Sequence, residues 1–167
     1  MKFYIKNTDT NEIITIAANS YESLSKNFRQ APYELASDSE KGVKILEEAK
    51  AAKKEEITKA RNSEFAKPLQ VRSNPDVYLR PQPQVNIFLA AYSMNDGATK
   101  EWAPCDKDGN MQDTEVAFTK EELVSASNHY EERKTTQYNQ ARRRCRAVDV
   151  LTTIEEVEAY DITTVYE

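Results

Sequence analysis

Glycine is scarce in this chain of 167 residues, which has 3 glycines against 6 prolines. Neither a Gly-x-Gly-x-x-Gly sequence nor a Gly-x-x-x-x-Gly-Lys-Ser/Thr sequence occurs, so the two common phosphate-binding loops are missing. Histidine occurs once and cysteine twice, which is too few nitrogen and sulfur ligands for a four-coordinate zinc site. The composition therefore disfavours nucleotide-dependent chemistry and structural zinc, and we expect no cofactor.

Long apolar runs are missing as well. No stretch approaches the roughly 18 apolar residues that a membrane-spanning helix needs. The first residues, MKFYIKNTDTNEI, hold no apolar segment long enough for a signal peptide. We therefore expect a soluble protein, made in the cytoplasm, that does not insert into membranes. In that reducing compartment Cys105 and Cys145 are expected as free thiols, with a disulfide between them as the minor alternative.

Charge is unevenly distributed along the chain, whose net charge is −5. Residues 119–148 hold 7 basic residues against 4 acidic ones, whereas residues 149–167 hold 6 acidic residues and no basic one. We expect the acidic end to fold back on the basic segment and neutralise part of it. The negative net charge disfavours nucleic acid and acidic membranes as partners.

The first 37 residues predict a small N-terminal module. Two apolar runs on either side of a polar turn cluster predict a β-hairpin over residues 2–17. Ser20 suits the N-cap of a short helix that carries Tyr21, Leu24 and Phe28 on one face.

A long helix follows, from Ser37 or Asp38 as the cap to about Glu64. Its pairs Glu40–Lys44 and Glu55–Lys59 have the spacing of favourable ion pairs one turn apart. The apolar stripe is thin, because it holds few large side chains and Lys53 interrupts it. A connector packed along one face is therefore favoured over a coiled coil.

The segment 67–83 contains four of the prolines and predicts extended chain, with a short strand at 77–79. The sequence QVNIFLAAYSM then predicts a short apolar helix, with Ile87, Ala91 and Met94 on one face and Phe88 beside them. As the most hydrophobic helix of the chain, it is expected to be buried.

A second hairpin is predicted from Lys100–Pro104 and Glu115–Phe118, which flank an Asp-Gly turn; Trp102 and Phe118 are its large side chains. The capping-box sequence Thr-Lys-Glu-Glu then predicts a second long helix over residues 120–148. Its apolar stripe consists of Leu123, Ala126, Tyr130, Tyr138, Ala141, Cys145 and Val148.

Another capping box at Thr153 predicts a short last helix with Ile154 and Val157 facing inward. The chain is then expected to end in an edge strand from Asp161. Together these elements predict an α+β fold with two long helices, two hairpins and short helices. The expected domains are residues 1–37, a connecting helix over 38–66, and a C-terminal α+β domain over 67–167.

Three patterns suggest chemistry but have simpler interpretations. Asp106, Asp108 and Asn110 alternate as calcium ligands do, but the Gly and Glu that an EF-hand needs are not at the required positions, so a turn is favoured. General acid–base chemistry would have to use His129, which lies in a helix pattern without a nucleophile motif. Adjacent glutamate pairs point about 100° apart on a helix and do not share a site. We expect no catalytic residue and no metal site.

The densest charged feature is the sequence Arg142-Arg143-Arg144-Cys145-Arg146. Guanidinium groups bind carboxylates and phosphates through paired hydrogen bonds. Because no aromatic stacking motif or second basic element accompanies the cluster, nucleic-acid binding is disfavoured. An intramolecular ion-pair network or a protein interface is favoured instead.

Several motifs resemble, in the same order, an uncharacterised domain family of tailed bacteriophages and prophages. They are KKEEITKARNSEF, QVNIFLAAYSM, KEWAPCDKDGN, FTKEEL and TTIEEVEAYD, and they cover about residues 50–161. The chain departs from the family at Pro81–Gln84, where an acidic–Ser pair is usual, and at Phe88 and Leu89, where small residues are usual. Members often occur beside tail-fibre genes or at the ends of tail-fibre proteins, and the family has no established catalytic residues.

The resemblance implies a non-enzymatic tail-associated protein that docks on, or completes, the tail-fibre apparatus and resides in the virion tail. Phage tail or tail-fibre proteins are the expected partners, and a homo-oligomer remains open. A tail-fibre assembly chaperone and a nucleic-acid-binding accessory protein are the alternatives. The expected contact residues combine aromatic anchors with a polar clamp: Trp102, Tyr130, Tyr138, Arg142, Arg143, Arg144 and Arg146.

Overall fold

The computed structural model describes residues 1–25, 28–29, 31–73, 75–80 and 84–166. It confirms the α+β class, since small antiparallel sheets accompany four helices. Contacts divide the chain into two compact units, residues 1–53 with 148–160 and residues 54–147 with 161–167. The elements are β1 (Lys2–Asn7), β2 (Ile13–Ala17), β3 (Tyr33–Leu35), α1 (Asp38–Ala66), β4 (Leu69–Ser73), β5 (Asp76–Leu79), α2 (Gln84–Ser93), β6 (Thr99–Trp102), β7 (Val116–Thr119), α3 (Lys120–Asp149) and α4 (Ile154–Ala159).

The first unit contains a three-stranded antiparallel sheet in the order β2-β1-β3. The β1–β2 hairpin, in which Lys2 pairs with Ala17, confirms the hairpin predicted over residues 2–17. The third strand was not predicted. In β3, Leu35 pairs with Ile5 of β1, so β1 has a second neighbouring strand. A third strand stabilises the sheet, because an isolated two-stranded hairpin is only marginally stable.

The short helix predicted after Ser20 is wrong for the part that the structure describes, because residues 20–25 and 28–29 contain no α-helix. Ser20 and Ser23 form hydrogen bonds with each other instead. The Ser20 amide donates to Ser23 Oγ (3.0 Å), and that hydroxyl donates to the Ser20 carbonyl (2.6 Å). Such local side-chain bonds compete with helix formation. Lys26, Asn27 and Gln30, which the prediction included, lie outside the described residues.

The start of α1 is fixed as predicted by a cap at Ser37. The Glu40 amide donates to Ser37 Oγ (3.4 Å), and the Ser37 amide donates to Glu40 Oε2 (2.9 Å), which completes a capping box. Glu40 pairs with Lys6 of β1 (2.6 Å). The predicted pair Glu55–Lys59 is present at 2.8 Å.

The second unit contains two separate antiparallel hairpins, β4–β5 and β6–β7. The strand predicted at 77–79 is confirmed within β5, whereas β4 was not predicted and the extended segment is in fact a hairpin. Pro68 precedes β4 and Pro75 lies in the turn before β5, so neither proline removes an N–H from the ladder. Pro81 and Pro83 lie outside the described residues.

The core of this unit joins the β4–β5 hairpin, α2, β7 and the first turns of α3. Phe118 and Leu123 are fully buried within it, and the half-buried Trp102 packs against it. The buried members of this cluster are Val77, Leu79, Ile87, Ala90, Ala91, Phe118, Leu123 and Ala126.

The prediction that α2 would be buried is correct for one face and wrong for the other. Ile87 and Ala91 are 3% and 2% exposed, whereas Phe88, Leu89 and Tyr92 are 53%, 57% and 80% exposed. The helix packs through one face only, because successive helical positions turn by 100° and the core occupies one side of α2. High hydrophobicity alone therefore overestimated its burial.

Both predicted capping boxes in the C-terminal half are present. The Glu122 amide donates to Thr119 Oγ1 (3.2 Å) and the Thr119 amide to Glu122 Oε2 (2.9 Å) at the start of α3. Thr153 and Glu156 make the same pair of bonds at the start of α4. Val157 of α4 is buried, as predicted.

The edge strand predicted from Asp161 is wrong. Asp161 Oδ1 accepts hydrogen bonds from the Thr163 amide (2.8 Å) and hydroxyl (2.7 Å), and the Thr164 amide donates to the Asp161 carbonyl (3.3 Å). The segment is therefore a turn that its own aspartate stabilises. None of the helices in the described part of the chain is long and apolar enough to cross a membrane.

Candidate docking surfaces

The outer face of α2 is an exposed apolar surface. The rings of Phe88 and Tyr92 stack with their centroids 5.9 Å apart and their planes 25° from parallel, and Leu89 lies beside them on the helix. No charged residue occurs in α2. We call Phe88, Leu89 and Tyr92 the α2 patch. Contiguous exposed apolar side chains of this kind mark interaction sites.

A groove of about 780 Å³ runs between α2 and β6 in the second unit. Leu89 of the α2 patch lies on one wall and Trp102 on the other, with Lys100 Nζ 6.0 Å from the Trp102 ring. The predicted anchor Trp102 is half-buried. It therefore combines a fixed position with an accessible ring, which suits an aromatic contact residue.

The predicted anchor Tyr138 lies elsewhere in the second unit, in a groove of about 350 Å³ with Arg61, Asn139, Arg142 and Cys145. The guanidinium carbon of Arg61 lies 4.6 Å from the Tyr138 ring centroid. Tyr138 also contacts Phe65, with centroids 5.4 Å apart. The structure thus brings Tyr138 and Arg142 together, and it places Trp102 on a different groove.

The arginine cluster is divided among three environments. Arg144 Nε donates to the Thr164 carbonyl (2.8 Å), and its Nη2 donates to the Thr163 carbonyl (3.3 Å). Arg142, Arg143 and Arg146 are exposed on α3, and Arg142 also lines the groove with Tyr138. The structure therefore gives the four arginines of the predicted polar clamp different surroundings.

The expected fold-back of the acidic end is present for residues 161–166. However, the acceptors of the hydrogen bonds from α3 side chains are main-chain carbonyls rather than carboxylates. Gln140 Nε2 donates to the Tyr166 carbonyl (2.6 Å), and its Oε1 accepts from the Tyr166 amide (2.9 Å). The nearby Arg144 charge contributes to a lowered pKa of Asp161, although hydrogen bonds from Thr163 are the larger cause. This contact is a strap across α3.

The third predicted anchor, Tyr130, is half-buried in a cavity of about 560 Å³ that Phe65, Arg80 and Gly109 also line. Arg80 Nε donates to the Gly109 carbonyl (2.5 Å). Gly109 has a φ of +87°, which only glycine adopts without strain in this turn. Tyr130 is therefore less accessible than Tyr138, which is 47% exposed.

The lone histidine is an exposed residue of α3. His129 lines an open groove with Ser125, Glu121 and Glu132. Neither the Ser125 nor the His129 side chain makes a hydrogen bond to any residue that the structure describes. A nucleophile and a base need that hydrogen bond, so this arrangement forms no relay.

The possible calcium ligands form a turn. Asp106 Oδ1 accepts from the amides of Asp108 (2.9 Å) and Asn110 (2.8 Å), and Oδ2 accepts from the Asn110 side chain (2.9 Å). These hydrogen bonds, that of the Asn110 side chain first, lower the pKa of Asp106. Over the described ranges, no group of three or more His, Cys, Asp or Glu side chains could hold a metal ion.

Both cysteines are free thiols, as predicted. Cys105 is fully buried, and burial raises its pKa, whereas Cys145 is half-buried. Neither has a cysteine partner.

Sequence reasoning missed two contributors to these surfaces. Arg61 was not singled out, and only its spacing from Phe65, one helical turn later, signalled a cation–aromatic pair. The exposed side of α2 was indicated by the replacement of small residues with Phe88 and Leu89, which have no function in the core.

Comparison with models of protein families finds no match to the chain, and no curated protein and no solved structure matches it either.

Proposed function

We propose that this chain is a non-enzymatic protein of a tailed bacteriophage that docks on, or completes, the tail-fibre apparatus through protein–protein contacts. The observation that carries the proposal is the α2 patch beside the Trp102 groove. The ordered resemblance of residues 50–161 to a phage tail-associated family supports the choice of partner, and the virion tail is the proposed location.

The patch is a candidate interface because folding does not use it. The buried face of α2 already supplies Ile87, Ala90 and Ala91 to the core. Exposing Phe88, Leu89 and Tyr92 to water costs the protein solubility and gives the fold nothing in return. Large aromatic side chains supply most of the energy at protein interfaces. A partner that covers the patch and enters the groove would contact α2 and Trp102 together.

The test is quantitative mass spectrometry of purified phage particles. We expect the chain in every particle at a fixed copy number, and we expect the double variant Leu89→Ser/Tyr92→Ser to be lost from particles although it still folds. The matched control is Val43→Ser, because Val43 is an apolar side chain of α1 with 60% exposure and lies outside the patch.

Two results would contradict the proposal. Fixed incorporation of the double variant would show that the α2 patch is not the interface. Absence of the unaltered chain from mature particles, with binding to tail fibres during assembly, would assign it to the chaperone class instead.

A further inference from the structure

We propose that the groove lined by Arg61, Tyr138 and Arg142 binds a carboxylate side chain within an acidic segment of a partner protein. This inference shares one premise with the proposed function, namely that the chain acts by contact with other proteins. The groove itself is separate from the α2 patch. Among the described residues, the groove is lined by Thr58, Arg61, Tyr138, Asn139, Ala141, Arg142 and Cys145, and its volume is about 350 Å³.

Arg61 is held in position before any ligand arrives. Its Nε and Nη2 donate to Asn62 Oδ1 at 3.2 and 2.9 Å, and its guanidinium lies 4.6 Å from the Tyr138 ring centroid and 5.7 Å from that of Phe65. A guanidinium carries five N–H groups, so donors remain for a further acceptor. A fixed guanidinium loses less entropy on binding than a mobile one does.

Arg142 supplies the second cation. It lies four residues after Tyr138 on α3, so the two side chains share a helix face. Its side chain is exposed and makes no hydrogen bond or ion pair with any described residue. Asn139 and Thr58 add neutral hydrogen-bonding groups to the groove, and none of its lining residues is acidic.

Charge makes this groove exceptional in an acidic protein. Several other cations of the second unit have acceptors within the chain: Arg72 pairs with Glu122, Lys120 pairs with Asp96 at 2.7 Å, and Arg144 donates to main-chain carbonyls of the strap. Around Arg142, residues 133–148 contain six basic residues and no acidic one. Two guanidiniums that share a groove without a carboxylate form a local positive site, and the complementary ligand is an anion that accepts paired hydrogen bonds.

An acidic protein segment fits this site better than nucleic acid does. Binding a run of phosphates needs an extended basic track. Such a track would include Arg144, which the strap of residues 161–166 already engages. One or two carboxylates on a partner need only the short-range attraction that the groove supplies.

The experiment measures peptide binding by fluorescence anisotropy. The probe is a fluorescein-labelled peptide of about ten alternating Glu and Ala residues, and its control has Gln in place of Glu. At about 50 mM salt we expect the Glu peptide to bind and the Gln peptide to bind at least about tenfold more weakly. At about 300 mM salt the preference should shrink, because screening weakens charge attraction.

The variants Arg142→Gln and Arg61→Gln should each weaken binding of the Glu peptide about tenfold or more. Lys107→Gln is the matched control, because it removes one positive charge from an exposed turn outside the groove; it should change the Kd by less than about twofold. The Arg142 side chain is exposed and makes no hydrogen bond or ion pair with the described residues, so Arg142→Gln should leave the melting temperature unchanged, and its result stands even where Arg61→Gln folds poorly.

Equal binding of the Gln peptide, or equal weakening by Lys107→Gln, would overturn the inference. So would tighter, Arg142-dependent binding of a single-stranded oligonucleotide of equal charge, which would assign the groove to nucleic acid. These results are separable from the docking proposal, because that proposal is tested by incorporation of the Leu89→Ser/Tyr92→Ser variant and does not involve the groove.

Discussion

The substitution Glu122→Gln tests how the second unit is held together. Glu122 accepts hydrogen bonds from Arg72 Nε and Nη2, the latter at 2.6 Å, and from the Thr119 amide at 2.9 Å. Arg72 also donates to the Ala117 carbonyl (2.6 Å), and its guanidinium carbon lies 5.3 Å from the ring centroid of the fully buried Phe118. One carboxylate therefore links β4, β7 and the first turn of α3.

The expected loss is about 1.5 kcal/mol of unfolding free energy. Hydrogen bonds to charged groups contribute about 1.5–3 kcal/mol. The Arg72 and Glu122 side chains are 28% and 23% exposed, so solvent screening favours the lower end of that range. Glutamine still serves as the third residue of a capping box, so the loss is mainly that of the paired contact with Arg72. For a chain of this length the melting temperature should fall by about 3–6 °C.

The contribution of Glu122 to the free energy of unfolding depends on pH. Hydrogen bonds from Arg72 first, and from the Thr119 amide, lower the pKa of Glu122. A lowered pKa contributes stability above the unfolded value of about 4.3 and loses that contribution as the pH falls through the folded value. The difference between the protein and the Glu122→Gln variant should therefore be full at pH 7 and shrink below about pH 4.

Fluorescence of Trp102 reports the thermal unfolding, because it is the only tryptophan and lies in the same unit as the pair. The matched control is Glu121→Gln, which removes the same charge from the same helical turn at an exposed position. We expect it to cost less than about 0.5 kcal/mol. Equal effects of the two variants, or a difference that does not shrink as the pH falls below about 4, would refute the role assigned to the Arg72–Glu122 pair.

The remaining predictions concern other parts of the chain. Hydrogen bonds from Lys6 and Ser37 lower the pKa of Glu40 to about 2. Glu40→Gln should therefore speed amide exchange in β1 and at the start of α1 at pH 7, and this difference from the unaltered protein should vanish as the pH falls from about 4 towards 2. Persistence of the difference at low pH would contradict the prediction. Iodoacetamide should modify Cys145 well before Cys105, because Cys105 is fully buried with a raised pKa; equal rates by mass spectrometry would be inconsistent with that burial. Gln140→Ala should release the strap and speed amide exchange over residues 161–166, whereas the exposed control Asn139→Ala should not; unchanged exchange in both would show that Gln140 does not hold the strap.

Helix ends were the part of the fold that the sequence predicted best. The capping boxes at Thr119 and Thr153 are local, since each needs only two side chains three residues apart, and both are present. Pairs such as Glu55–Lys59 are local for the same reason. The hairpin of residues 2–17 and the hairpin around Asp106–Asn110 were predicted because a turn sequence lies between their strands.

The failures concern contacts between residues far apart in sequence. The pairing of β3 with β1 joins residues about 30 positions apart. No short turn connects these two strands, so no turn sequence indicates that they pair. The strap on α3 uses main-chain carbonyls as acceptors, so the charges that suggested the fold-back did not reveal its bonds. Which face of α2 meets the core depends on where the core lies, and composition does not contain that information.

The predicted contact residues stay predictions, but the fold gives them different surroundings. Trp102 and Tyr138 line grooves, and Tyr130 is half-buried in a cavity that Gly109 also lines. Arg144 donates to carbonyls near the chain's own end. The sequence indicates residue types that suit contact, whereas their accessibility depends on the fold.

Photo-crosslinking from position 92 tests most directly whether this chain acts by docking through α2. Tyr92, which is 80% exposed, would be replaced by benzoylphenylalanine in cells that assemble the phage, with the same replacement at Lys107 as the control position. We expect a crosslink from position 92, and none from position 107, to a protein that mass spectrometry identifies as a tail or tail-fibre component. A crosslink to an unrelated protein, or equal crosslinking from both positions, would contradict it.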